Sequence, residues 1–202
     1  MKNTLNTLKI SFFLIFLNFF TANAQNPLNS SEIERYLSSL KTIETALNAY
    51  EKQNPDAEKE SILNLSPNDM PSKTPISGNL KSLEAHPTYP NFIEAIKKHN
   101  FNSAAEWANT GDRIMNAHAA YHLNNPPPGD NKSIADIINE MESQKETIAK
   151  NRYISNDQKQ TLLQKIENGV ALLNDPNYIN NENIKIISPY IKRLNSLFEE
   201  PQ

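Results

Sequence analysis

SAAEWANTGDRIMNAHAAYHL, residues 103–123, sets the fold class of this chain. Ser103 followed by Glu106 three positions later is a capping-box pattern, which opens a helix. Beyond it the apolar and aromatic residues recur at steps of three and four, the period of an α-helix. One face of this predicted helix carries Trp107, Gly111, Ile114, His118 and Tyr121. The pattern predicts an uninterrupted helix to about Leu123, where an asparagine- and proline-rich stretch stops it.

The same helical signals recur on both sides of this stretch. The predicted helix caps are Ser31, Thr88, Ser133 and Ser155. The predicted stops are Asn54-Pro55, Asn100, Lys150 and Asp175-Pro176. No segment alternates β-branched residues with period two, as half-buried strands do. We therefore predict an all-α fold, a single-domain bundle of five to seven mostly antiparallel helices.

The last helical segment runs through a proline without losing its apolar phase. Two arrangements satisfy the spacing around Pro189: one kinked or closely collinear helix pair, or a new helix capped by Ser188. The unbroken phase favours the first arrangement.

A long connection between the first two helical regions is rich in proline. Pro67, Pro71 and Pro75 recur every four positions within residues 53–80, and proline removes helical donors. A loop of this length inside a compact domain usually has a role. We expect either a belt packed across the bundle or a mobile flap over a ligand groove.

The N-terminus has the three parts of a secretory signal peptide. Lys2 and Lys9 begin it, an apolar run covers residues 10–20, and Ala22-Asn23-Ala24 forms a small-x-small cleavage site. The apolar run is shorter than the roughly 20 residues that a membrane-spanning helix needs. We therefore predict cleavage of residues 1–24, a mature start at Gln25, and no stable membrane anchor.

Composition narrows the class of protein further. Removal of residues 1–24 leaves 178 of the 202 residues, with 18 basic and 23 acidic side chains and a formal charge of −5. That size suits one helical domain over residues 25–202. An acidic balance argues against a nucleic-acid partner, which selects for basic patches. The frequent asparagines, as AT-rich genomes encode, favour a bacterial source and hence a periplasmic or secreted protein.

The motifs of the common enzyme classes are missing from the sequence. The four glycines are dispersed, so no phosphate-binding or dinucleotide-binding loop is formed. There is no cysteine, and therefore no thiol nucleophile, disulfide or haem attachment. We predict no catalytic residue and no cofactor.

Three residues have the spacing of metal ligands. Met115, His118 and His122 stand three and four positions apart, so they share one face of the predicted helix. Two imidazoles and a thioether suit copper, and imidazoles also suit zinc. The alternative is a histidine at the edge of the core with a methionine that fills a gap.

A second candidate site involves the single tryptophan. Trp107 and Arg113 are predicted ligand-binding residues, because a guanidinium in mid-helix suits a carboxylate or phosphate. The alternative is that Gly111 admits a close helix, Trp107 packs beside it, and Arg113 pairs with a carboxylate of the fold.

These observations lead to two hypotheses about function. The first is an exported, non-enzymatic helical binding or protein-interaction module, whose protein or small-molecule partner the sequence does not identify. The second is an exported metal-binding protein that uses Met115, His118 and His122 to hold copper or zinc.

The signal peptide generates the first testable prediction. Protein exported by a bacterial host should begin at Gln25, or within one or two residues of it, because the peptidase cuts after Ala24. Intact-mass spectrometry of the periplasmic and secreted fractions measures this directly. Exported protein that retains Met1 would contradict the prediction.

Overall fold

The computed structural model of this chain describes residues 27–54, 72–126, 129 and 132–198. The backbone over these residues is helical with short connections, and no strand occurs among them. The all-α prediction is therefore confirmed. The predicted signal peptide and Gln25 lie outside the described residues. No helix in the described ranges is both long enough and apolar enough to cross a membrane.

Nine α-helical segments make up the described part of the chain. They are α1 Ser30–Gln53, α2 Leu80–Glu84, α3 Tyr89–Lys97, α4 Ala104–Asn124, α5 Ile134–Lys150, α6 Asn156–Leu173, α7 Pro176–Ile179, α8 Ile184–Ile187 and α9 Ile191–Phe198. Two 3₁₀ turns, Ser77–Asn79 and Ser188–Tyr190, precede α2 and α9. Because α7 and α8 are single turns of four residues, the longer helices agree with the predicted five to seven.

Most helix ends lie where the sequence predicted them. The hydroxyls of Ser103, Ser133 and Ser155 each accept a hydrogen bond from a backbone N–H in the first turn of α4, α5 and α6. Asn100 has a φ of 60°, the left-handed conformation expected at the end of α3. Thr88 precedes α3 as predicted, but its side chain makes no capping hydrogen bond.

The predicted cap of α1 was wrong. Asn29 replaces Ser31 as the cap: its Oδ1 accepts from the backbone N–H of Glu32 at 3.0 Å, and Glu32 Oε2 accepts from the backbone N–H of Asn29 at 3.0 Å. The cause is burial of Leu28, which is 1% exposed and belongs to the same apolar cluster as Ile33. This pair has the positions of a hydrophobic staple, which fixes where the helix begins.

The main hydrophobic cluster lies between α1, α3 and α4, and α8 and α9 add residues to it. Trp107 is fully buried inside it. The ring of Tyr36 stacks on the indole at 5.1 Å between centroids, and the ring of Phe92 meets it edge-on at 5.1 Å. The indole Nε1 donates to Ser39 Oγ at 2.8 Å, so the polar atom of the tryptophan is also satisfied.

Gly111 allows α1 to pack closely against α4. A β-carbon at this position would lie 2.6 Å from Tyr36 Oη and 2.9 Å from two carbons of the ring. Both distances are shorter than van der Waals contact. The expected close approach at Gly111, with Trp107 packed beside it, is what the structure contains.

A second, smaller cluster is built by the C-terminal half of the chain. Its buried members are Met141 from α5, Ile166, Leu172 and Leu173 from α6, and Tyr178 from α7. Ala119 and Leu123, at the far end of α4, pack against it. Helix α4 therefore contributes to both clusters.

The end of the proline-rich connection is tied to α4 by a buried carboxylate. Asp112 is 4% exposed, and its side chain accepts from the backbone N–H groups of Ile76 at 2.7 Å and Ser77 at 3.2 Å. The hydroxyl of Ser77 donates to the second carboxylate oxygen. Residues 72–80 thus agree with the belt alternative for the connection over 53–80. Its part over 55–71 lies outside the described residues.

Helices α8 and α9 follow one another through the 3₁₀ turn that contains Pro189. Ile187 and Ile191, which flank this turn, and Ser188, its first residue, have right-handed helical dihedral angles. Ser188 provides no side-chain cap to α9; the turn itself starts after Ile187 without a capping bond. Helical residues thus continue without a break from Ile184 to Phe198, which agrees with the kinked or closely collinear pair that the unbroken apolar phase favoured.

The contact at Gly111 generates the second prediction. Gly111→Ala should destabilise the protein, because overpacking a buried contact costs about 1–3 kcal/mol, whereas alanine gains at most about 1 kcal/mol over glycine in a helix. Urea unfolding followed by circular dichroism measures the change in the free energy of unfolding.

Tyr36→Phe is the matched variant for this experiment. It removes the atom nearest to the added β-carbon, a buried hydroxyl that has no hydrogen-bond partner among the described residues. Tyr36→Phe alone should therefore cost little, and it should reduce the cost of Gly111→Ala in a double-mutant cycle. A G111A protein as stable as the wild type would show that the close approach is not a constraint.

Candidate metal-binding site

All five predicted site residues lie on α4, and the structure separates them into three environments. Trp107 is fully enclosed by the main cluster and has no exposed surface for a ligand. Met115 is partly buried and packs against the same cluster. His118 and His122 lie together near the opposite end of the helix, and Arg113 faces α1.

Arg113 forms an ion pair that links α4 to α1. Its Nη2 lies 2.8 Å from Oε1 of Glu32, and the two side chains are 13% and 23% exposed. Nε and Nη2 of Arg113 are buried without a well-directed hydrogen bond to any described residue, so the contact is electrostatic rather than a hydrogen bond. Pairing with a carboxylate of the fold is the alternative that the sequence analysis left open for this residue.

The histidine pair is brought together by one turn of helix. The Nε2 atoms of His118 and His122 are 3.2 Å apart, and the ring centroids are 4.6 Å apart at an angle of 72°. Spacing of i to i+4 places both side chains on the same face. The ring of Tyr121 lies edge-on to His122 at 5.5 Å between centroids. Both imidazoles are half-buried.

A third polar atom, which sequence reasoning missed, meets this pair from another helix. Oδ1 of Asn195 in α9 lies 2.8 Å from His118 Nε2 and 3.1 Å from His122 Nε2. The neighbouring Leu194 is 1% exposed, and its burial fixes the rotation of α9. The apolar period of α9 was visible in the sequence, but which helix it faces was not.

The three contacts within this cluster do not all form hydrogen bonds at once. Each imidazole Nε2 carries either one proton or one lone pair, and an amide oxygen only accepts. Whichever nitrogens are protonated, and whichever way the amide is turned, one of the three contacts has no proton between its two atoms. The two Nε2 atoms and the Asn195 amide atom therefore lie close together, and at least one pair of them is not joined by a hydrogen bond.

A metal ion would remove that conflict. Ligand atoms bound to zinc at 2.0–2.1 Å in a tetrahedron stand about 3.3 Å apart, close to the observed separations of 2.8, 3.1 and 3.2 Å. In the plane of the three donor atoms, the point equidistant from them is about 1.8 Å from each. Because this is shorter than the metal–ligand distance of 2.0–2.1 Å, an ion would lie just outside the plane. The edges of the donor triangle are about 0.1–0.5 Å shorter than those of one face of such a tetrahedron, so small side-chain movements would fit it to the ion.

Within residues 27–54, 72–126 and 132–198, no acidic side chain takes part in the contacts of this cluster. Among the described residues no group of three or more His, Asp or Glu side chains converges in a way that would hold a metal ion. The other two histidines are engaged elsewhere: Nε2 of His99 lies 2.7 Å from the Thr42 hydroxyl, and Nδ1 of His86 lies 2.7 Å from the Thr88 hydroxyl. In the part of the chain that the structure describes, the pair and Asn195 provide a neutral donor set of two nitrogens and one oxygen.

The surroundings of His118 favour its neutral form. Burial lowers the pKa of this imidazole below its ordinary value, the hydrogen bond with Asn195 opposes the shift, and the neighbouring His122 ring adds to it. Neutral imidazole is the form that binds metal ions.

Comparison with known proteins adds no family to this description. No protein-family profile, no curated protein sequence and no solved structure matches the chain. The class of protein is therefore defined by its own features: an all-helical fold with a half-buried histidine pair.

The pKa of His118 generates the third prediction. In the unfolded chain histidine titrates near pH 6.5, and in the folded protein it titrates at lower pH. Between these two values the unfolded state binds more protons, so the free energy of unfolding should fall as the pH falls below about 6.5. The loss should be complete once the pH is below the pKa in the folded protein.

Urea midpoints measured from pH 7.5 to 5.0 in the presence of a chelator test this expectation. His118→Gln, which does not titrate, should lose less stability over this range than the wild type. His86→Gln, outside the cluster, should behave like the wild type. Equal losses in the wild type and in H118Q would refute the assignment.

Proposed function

We propose that this chain is an exported, non-enzymatic helical module that binds a divalent transition-metal ion, zinc or copper(II), through His118 and His122. The observation that carries the proposal is the 3.2 Å separation of their Nε2 atoms on consecutive turns of α4. Two histidines at i and i+4 on one helix face are the arrangement with which zinc-dependent proteases hold their ion. Imidazole is the commonest metal ligand among protein side chains.

The competing explanation is a histidine pair that only packs at the edge of the core. Such a pair would be held by one proton shared between the rings. The amide of Asn195 lies 2.8 and 3.1 Å from the two nitrogens and disfavours this explanation. If the shared proton lies between the two rings, at least one contact between Asn195 and an imidazole lacks a hydrogen bond. One cation, by contrast, satisfies all three atoms together.

The donor set indicates which ions fit. Two imidazole nitrogens and an amide oxygen are borderline donors, which suit zinc and copper(II), and a chain without cysteine has no thiolate for softer ions. Met115 packs against the main cluster, so the thioether gives no reason to favour copper(I). Copper(II) should bind more tightly than zinc, as the general order of divalent-ion affinities requires. Water would complete the coordination.

Metal titration is the fourth prediction. Mature, untagged, chelator-treated protein should bind one equivalent of zinc with a dissociation constant below about 100 µM in isothermal titration calorimetry. His122→Gln should weaken binding at least tenfold, because it removes one of the two imidazole ligands. His118→Gln should do the same. Circular dichroism confirms that each variant is folded.

His99→Gln is the matched control for this titration, since its imidazole lies outside the cluster and contacts Thr42. It should bind zinc as the wild type does. Absence of saturable binding in the wild type, or equal affinity in H118Q, H122Q and H99Q, would overturn the proposal.

A further inference from the structure

We infer that the ion also links two helices. Asn195 is its third protein ligand, and metal binding holds the C-terminal helix α9 on α4. This inference rests on the proposed function. Its structural basis is that the donor atoms come from elements far apart in sequence, His118 and His122 on α4 and Asn195 on α9.

Helix α9 is held to the rest of the protein by few contacts. Leu194 is its buried anchor in the main cluster, and Ile191 is partly buried against the same cluster. Arg193 Nη1 reaches Glu34 Oε2 at 2.7 Å, but the two side chains are 47% and 52% exposed, and such surface ion pairs add little. A helix of eight residues is unstable without tertiary contacts. Among the described residues, the contacts of Asn195 are the polar contacts that join this helix to α4.

The segment before α9 has the features of a hinge. Ile187 is fully buried at the end of α8, and Asn183 Oδ1 accepts from the backbone N–H of Leu28 at 2.7 Å, so the chain is firmly fixed up to that point. The 3₁₀ turn Ser188–Tyr190 then interrupts the α-helical hydrogen bonding, and Pro189 lacks a donor. A change of backbone conformation within this turn would therefore let α9 leave the main cluster while α8 stays in place.

Metal binding and helix docking must then favour one another. With α9 detached, the ion keeps two protein ligands, His118 and His122; with α9 docked, it has three. The ratio of the two affinities is the coupling between binding and docking, and it acts equally in both directions. The factor that Asn195 adds to zinc affinity is therefore the factor by which saturating zinc reduces detachment of α9.

Hydrogen-exchange mass spectrometry of the mature protein, with and without saturating zinc, tests this inference. Exchange in peptides that cover residues 191–197 should slow by about 5- to 150-fold with zinc, the usual range of such couplings. In Asn195→Ala the slowing should disappear, and zinc affinity should fall by the same factor. Peptides from α2, which contributes no ligand and packs in the main cluster through Leu83, should exchange by local opening equally with and without zinc.

Asn195→Asp keeps an oxygen ligand and adds charge, so it should bind zinc more tightly than the wild type. An affinity order of Asp above Asn above Ala identifies position 195 as a ligand, and N195D still provides this test if N195A is unstable. Wild-type protein that binds no zinc would overturn the proposed function. Zinc binding that depends on both histidines, but with equal affinity in N195A and N195D and unchanged exchange in α9, would overturn only the present inference.

Discussion

The close packing of α1 on α4 at Gly111 is the constraint on which the rest of the structure depends. A glycine there lets the Tyr36 ring approach the α4 backbone, where the same ring also stacks on Trp107. The ion pair between Arg113 and Glu32 and the Asp112 contacts with residues 76–77 extend from the same stretch of α4. Because α4 is fixed in this way, the histidine pair on its later turns has a defined position relative to α9.

The same packing explains why the sequence was informative about one candidate site and not the other. Trp107 was singled out as the single tryptophan and Arg113 as a guanidinium in mid-helix, and the fold uses both for contacts between α1 and α4. The histidines were singled out by their spacing. Residues three or four positions apart on a helix lie close together in space, whereas the type of a residue does not say what its side chain contacts. The structure accordingly brings His118 and His122 together.

Local signals predicted much of the fold. Serine caps, the left-handed Asn100 and the apolar period of the last segment depend on neighbouring residues, so they were legible in the sequence. The features that were missed depend on tertiary contacts. Asn29 caps α1 because Leu28 is buried in the main cluster, and Asn195 reaches the histidines because α9 docks against that cluster. Neither asparagine differs in its local sequence from many others in this asparagine-rich chain.

Helix α4 belongs to both hydrophobic clusters, and this has a consequence for cooperativity. Its first turns are buried with α1 and α3, whereas Ala119 and Leu123 pack against the cluster formed with α5, α6 and α7. If the smaller cluster opened by itself, the last turns of α4 would lose their apolar support and fray. His118 and His122 lie in those turns. The proposed metal site would therefore be lost in a partial unfolding event that leaves the Trp107 core intact, and release of an ion bound there would not require unfolding of the whole domain.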